Sequence, residues 1–182
     1  MTGSRERLLD MLYIALGAVL IAAGAWITVP VFAVPFTMQT FSVFAVCLLL
    51  GGKRAAVSVV LYIALGLVGA PVFSGFNAGA GVIAGPTGGY MLGFIAITLI
   101  FWAFTALFGK RLWIKIVSLA LGLLICYLFG TLWYVFVFTG DAQKAGFTYA
   151  LSVCVLPYIP ADAAKLALAA AVCSRISKKT AK

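Results

Sequence analysis

The chain has 182 residues, 65% of them hydrophobic and only 9% charged, where soluble domains carry roughly 25% charged residues. Its mean hydropathy of +1.19 exceeds what a core of this size can hide, so a bilayer must serve as solvent. The net charge of +9, from 13 Lys+Arg against 4 Asp+Glu, would point to nucleic acid in a soluble protein. Here the basic residues fall in short breaks between apolar runs, as the positive-inside rule describes, and no nucleic-acid partner is expected.

The first apolar run, Leu8–Val29, follows Arg5 and Arg7. At 1.5 Å per residue it extends roughly 33 Å, enough to cross a membrane, and no small-residue cleavage site closes it as a signal peptide would. Pro30 ends it, and Pro35 makes residues 30–36 an extended or turning loop. A second run, Thr37–Leu50, stops at Gly51-Gly52-Lys53-Arg54 and is short for a span. The third, Ala55–Gly69, ends before Pro71. Residues 70–89 are too rich in Gly and Pro for a continuous helix, and such a segment must lie outside the lipid or be buried against protein. Tyr90–Phe108 is the fourth run, closed by Gly109-Lys110-Arg111, and Ile114–Phe138 the fifth. A polar turn, Thr139–Gly146, carries Asp141 and Lys144. Phe147–Leu156 is too short to span and reads as re-entrant or interfacial, with Pro157 and Pro160 behind it. The sixth run is Ala161–Cys173, followed by Arg175, Lys178, Lys179 and Lys182.

The predicted fold is therefore all-α: a single membrane-embedded domain over 1–182, a bundle of six transmembrane helices with both termini cytoplasmic. In that arrangement Arg5, Arg7, Lys53, Arg54, Lys110, Arg111, Lys115, Arg175, Lys178, Lys179 and Lys182 are cytoplasmic and only Lys144 is external. The loops 30–36 and 70–89 and the stretch 139–160 share the outer side.

Asp162 and Lys165 are the most informative residues. Lys165 lies ten residues before Arg175, roughly 15 Å along a helix and near mid-membrane, where a lone charge costs about 2.5–3.5 kcal/mol. At this spacing the two side chains share a face and can pair. A purely structural salt bridge is the plainer alternative, but intramembrane charges by default mark a site. The block Gly85-Pro86-Thr87-Gly88-Gly89-Tyr90 opens the fourth helix, and a glycine-lined helix start suits an anion or simply close packing. Thr37 and Gln39 in Pro35–Thr40 offer neutral donors and acceptors beside ordinary helix capping, and Asn77 lies in the outer loop. Small residues on the first helix, Ala15, Ala18, Ala22 and Ala25, permit close helix contact, with packing inside the chain the default. Cys47, Cys126, Cys154 and Cys173 are single and there is no histidine, so a metal or catalytic cysteine site has little to build on. No nucleophile is paired with a base, which disfavours an enzyme. The polar groups all fall toward the outer side and suit a small molecule with hydrogen-bonding and ionised parts.

The runs PFTMQTF (35–41), LYIALGLVGAPVFSG (61–75), GPTGGYMLGF (85–94), GTLW (130–133) and PYIPADAAKLALAA (157–170) resemble BioY, the biotin-binding S components of energy-coupling-factor (ECF) transporters, over nearly the whole chain and in order. The resemblance implies a multi-pass protein of the cell membrane that captures biotin from outside, as transported ligand rather than cofactor, under a cover formed by the first loop. It implies as substrate-binding residues Asp162, Lys165, Asn77, Tyr90, Gln39, Gly88 and Gly89, with the biotin carboxylate going either to Lys165 or to backbone near Gly88 and Gly89. It implies as partners a transmembrane coupling subunit, met by a small-residue stripe at Ala18 and Ala22, and two ATPase subunits. The chain has no P-loop pattern of its own. The alternatives are the same scaffold serving another small vitamin, or a non-transporting membrane protein.

Overall fold

Prolines and glycines set where the helices stop. The computed structural model describes residues 2–30, 34–138 and 146–180. Its helices are α1 (Thr2–Trp26), α2 (Gln39–Leu50), α3 (Gly52–Leu67), α4 (Ala80–Ala84), α5 (Gly88–Leu107), α6 (Leu112–Trp133), α7 (Phe147–Cys154) and α8 (Ile159–Thr180). A π-turn, Tyr134–Phe138, continues α6. Between α1 and α2 two short strands, β1 (Thr28–Val29) and β2 (Phe36–Thr37), pair antiparallel with Thr28 opposite Thr37. This ladder was not expected from the sequence. Its chemical cause is legible there: Pro30 and Pro35 push the preceding Val29 and Val34 away from helical backbone.

Among the described residues three helices are long and apolar enough to cross a membrane, Ser4–Trp26, Gly88–Leu107 and Leu112–Val137. α7 and α8 together pass the same test as a fourth, bent by 47° at the intervening break. α2 and α3, with 12 and 16 residues, fall short of the ~20 a perpendicular span needs. The break between α7 and α8 leaves few backbone groups unpaired. Leu156 N–H donates to Leu151 O at 3.0 Å, Tyr158 N–H to Val155 O at 2.9 Å, and Asp162 N–H to Tyr158 O at 2.8 Å. α8 starts at Ile159, two residues before the expected position, because Pro160 fits the first helical turn where its missing N–H is not needed. The expected turn with Asp141 and Lys144 falls mainly in 139–145, outside the described residues, as do the side chains of Lys178 and Lys179 and all of Lys182.

α5 and α6 form the most extensive helix pair, and glycines on both make it possible. A Cβ at Gly93 would lie 2.6 Å from Cys126 Sγ, and one at Gly122 2.8 Å from Ile97 Cα. At Gly130 it would strike the Tyr90 ring at 2.2 Å. In lipid, where apolar burial offers no gain between helices, such close backbone contact supplies the association energy. α3 packs on α5 and α1, and α2 packs on α1 and α8.

α1 turns three of the four singled-out alanines into the chain, and the fourth, Ala15, is exposed. Ala18, Ala22 and Ala25 are 2%, 4% and 0% exposed, in the same face as Gly17, which abuts Ser58, and Gly24, which abuts Ser42. Ser58 Oγ donates to Ile14 O at 3.0 Å across this contact. Ala18 and Ala22, the expected docking stripe, have both methyl groups covered by the chain's own helices. Packing within the chain, the default for that spacing, is what the structure shows.

The segment 70–89 is less irregular than its composition suggests. It contains a 3-10 turn, Ser74–Phe76, besides α4, and reverses at Gly75 and Gly79, whose φ values of +68° and +93° suit glycine. Phe73 is fully buried under Gly66 and meets Tyr62 edge-on at 5.6 Å. Trp26 stacks on Phe76 at 5.1 Å and donates Nε1–H to Pro71 O at 3.0 Å, pinning the loop to the end of α1.

Gly122→Val should lower stability by ~1–3 kcal/mol, because the added branch meets backbone at Ile97 and only helix separation relieves it. Gly81→Ala, with open space at the Cβ position, should cost nothing. Thermal unfolding of both variants in detergent tests the contrast.

Candidate functional site

The first two turns of α8 place two charges in the interior. Asp162 and Lys165 are 3% and 6% exposed, and Lys165 Nζ donates to Asp162 Oδ1 at 2.7 Å. Three other segments complete their coordination. Thr40 of α2 donates Oγ1–H to Asp162 Oδ1 at 2.8 Å, and Tyr127 of α6 donates its hydroxyl to Oδ2 at 2.6 Å. Lys165 Nζ donates further to Thr37 O of β2 at 2.7 Å and to Thr40 Oγ1 at 3.1 Å, and lies 4.0 Å from the centroid of the Phe36 ring. The ammonium's three donors are therefore all placed, and the pair as a whole is neutral.

A cavity opens beside this network at one end of the bundle, with about 80 Å³ open to the centres of water molecules, room for several waters. Asp162, Lys165, Thr40, Gln39 and Tyr127 line its polar side, and Val82, Met91, Phe94 and Leu123 its apolar side. Val34, Pro35 and Thr37 cover it. That cover is tied down at two points, by Lys165 on Thr37 O and by the Tyr158 hydroxyl on Val34 O. Tyr158 also stacks against Phe36 at 6.3 Å.

Of the residues expected from the sequence, Asp162, Lys165, Gln39 and Tyr90 are brought together at this cavity. Gln39 Nε2 donates to the Tyr62 hydroxyl at 2.8 Å, and its Oε1 accepts from Thr37 Oγ1 at 3.2 Å. The Tyr90 hydroxyl shares a hydrogen bond with Thr131 Oγ1 at 3.3 Å. Gly88 and Gly89 are not part of the lining and are closely packed. Gly88 abuts the Ile83 carbonyl and donates its N–H to Gly85 O at 3.2 Å, while Gly89 abuts Trp133. Their neighbours Thr87 and Tyr90 take the cavity side. Asn77 also stands outside the lining: it is exposed, and its Nδ2 donates to Ser74 O at 2.7 Å.

Tyr127, Thr40 and Tyr158 were missed. Tyr127 carried a usable signal, since a tyrosine in the middle of a long apolar run needs a partner for its hydroxyl. Thr40 and Tyr158 lie inside quoted sequence blocks, but only folding sets them beside Asp162 and Val34. The assembled chemistry is recognition by hydrogen bonds and charge: a carboxylate acceptor, an ammonium donor, hydroxyls of either polarity, and an apolar wall.

Lys165→Met should destabilise the protein by ~3–5 kcal/mol, because it strands a buried carboxylate. Adding Asp162→Asn should restore part of that loss. Thermal unfolding of the two single variants and the double variant, as a mutant cycle, measures the coupling.

Comparison with known proteins gives a consistent relationship. A family model described as the BioY family matches residues 1–182. A protein of Thermotoga maritima named "Biotin transporter BioY" is 38% identical over 159 residues, covering 87% of this chain and 90% of the relative. One of Pyrococcus horikoshii named "Probable biotin transporter BioY" is 36% identical over 167 residues, covering 92% and 95%. A crystal structure of "the S-component for biotin from an ECF-type ABC transporter" superposes with a TM-score of 0.82 at 24% identity, over 96% of this chain and 93% of that one, and so shares its fold.

Proposed function

The chain belongs to the BioY family, and from that premise we propose that it is the substrate-binding component of a biotin uptake system in the cell membrane. It captures biotin from outside in the charged cavity and delivers it inward with an ATP-driven module. The observation that carries this reading is the buried Asp162–Lys165 pair opening onto that cavity, an expensive arrangement in a membrane unless a polar solute uses it.

Biotin's ureido ring presents two N–H donors and one carbonyl, and its side chain ends in a carboxylate. Asp162 accepts a ureido N–H; Lys165 donates to an acceptor oxygen of the ligand; Thr40, Gln39, Tyr90 and Tyr127 supply neutral partners. Met91, Phe94 and Leu123 cover the apolar parts. Every one of these polar groups has a partner within the chain before ligand arrives, so binding exchanges bonds rather than filling vacancies. Releasing Lys165 from Thr37 O and Tyr158 from Val34 O frees the cover over the cavity. Asn77, which the family resemblance assigns to the ligand, joins only after its amide leaves Ser74 O. Gly75 and Gly79 flank it and allow that turn.

In this reading the whole chain is one domain with six crossings. These are α1, α2, α3, α5, α6 and the bent α7–α8 pair, with α2 and α3 as short members and both termini cytoplasmic, as the basic residues at the helix ends favour. The partners are a transmembrane coupling subunit and two ATPases, and the chain acts by binding and moving a solute rather than by catalysis.

Titration calorimetry of the purified protein with biotin, and with competing vitamins, tests the reading directly. Saturable biotin binding is expected, and Asp162→Asn should weaken it ~10-fold or more, the loss of one charge-assisted hydrogen bond. No heat with biotin but saturable binding of another vitamin would reassign the substrate. Unchanged affinity in Asp162→Asn would remove that residue from the site.

A further inference from the structure

The end of the bundle remote from the cavity carries a second open groove, of about 680 Å³, between the α2–α3 and α5–α6 turns. Lys53, Arg54, Lys110 and Lys115 line it, with Asp10 as the sole acid. Asp10 is already engaged: Arg54 holds it at 2.5 Å and also lies 5.2 Å from the Tyr13 ring. Among the described residues, Lys53, Lys110 and Lys115 have no carboxylate within ion-pair distance, although Lys115 is half-buried. Apolar helix surface forms the rest of the groove, including Trp102, which is 44% exposed. The depth is also defined. The membrane-crossing stretches of α5 and α6 end at Leu107 and begin at Leu112, so Lys110 stands at the level of lipid headgroups.

We propose that this groove binds the headgroup phosphate of an anionic phospholipid. The three unpaired lysines neutralise the phosphate and its uncompensated charge, and the apolar wall with Trp102 receives the start of an acyl chain. Basic pockets between membrane helices recognise such headgroups in this way, and an indole at the interface suits the boundary between the two. A zwitterionic lipid carries its own counter-charge and gains less from the lysines. The proposal is independent of the biotin reading, since no residue of the cavity takes part.

Native mass spectrometry of the detergent-solubilised protein, titrated with phosphatidylglycerol or phosphatidylcholine, tests it. Phosphatidylglycerol should bind at least ~10-fold more tightly, and each of Lys53→Gln, Lys110→Gln and Lys115→Gln should weaken it ~5-fold. The triple variant should bind the two lipids alike, whereas Arg5→Gln/Arg7→Gln/Arg175→Gln, which removes as much charge elsewhere, should keep the preference. Thermal unfolding confirms that each variant is folded, and the single variants carry the test if the triple one is not. Retained preference in the lysine variants, or equal loss in the arginine control, would overturn the proposal. Displacement of the lipid by inorganic phosphate would mark a free-anion site instead, and displacement by a glutamate peptide a protein-docking surface; either result overturns it.

Discussion

A carboxylate and an ammonium buried together in a membrane protein must find every partner within the protein, and that requirement organises one end of this molecule. Asp162 and Lys165 contribute only one bond to each other. The others come from Thr37, Thr40 and Tyr127, on β2, α2 and α6. Satisfying one ion pair therefore fixes α8 relative to two other helices and to the strand that covers the cavity. No buried side-chain nitrogen or oxygen among the described residues is left without a partner, as expected where an unmet polar group is costly.

The same scarcity of water explains the helix packing. Apolar side chains gain little by leaving lipid for protein, so the bundle relies on close approach. The glycines of α5 and α6, and Ala18, Ala22 and Ala25 of α1, make internal contacts. This is why Ala18, Ala22 and Ala25 are buried against neighbouring helices while Ala15 is exposed. The bent α7–α8 unit is tolerated for a related reason: turn hydrogen bonds at its break keep the backbone paired, and the bend delivers Tyr158 and Asp162 to the cavity.

If the cavity is the ligand site proposed above, the fact that its polar groups are already bonded to one another has a functional consequence. Solute binding at such a site is a competition, and the groups it competes with include those that hold the cover closed. In the proposed reading, recognition and opening are linked through Lys165, which bonds both the acid and the covering strand. The opposite end has a different character: among the described residues, Lys53, Lys110 and Lys115 have no carboxylate within ion-pair distance, so their charge is directed outward to the surroundings.

Sequence by itself determined the class of this protein, the positions of its long helices apart from the start of α1 and the end of α8, and the one charged pair worth following. Those features are local: hydropathy, proline and glycine breaks, and a charge too costly to be incidental act along a few turns of chain. Tertiary structure alone decided which face of each element meets which. The β1–β2 pair, Tyr127 and Thr40 on Asp162, and the burial of Ala18, Ala22 and Gly89 all depend on contacts between segments distant in sequence. A small residue reads the same in sequence whether lipid, a partner or a neighbouring helix covers it, because close packing is a property of two surfaces and the sequence of one element describes only its own.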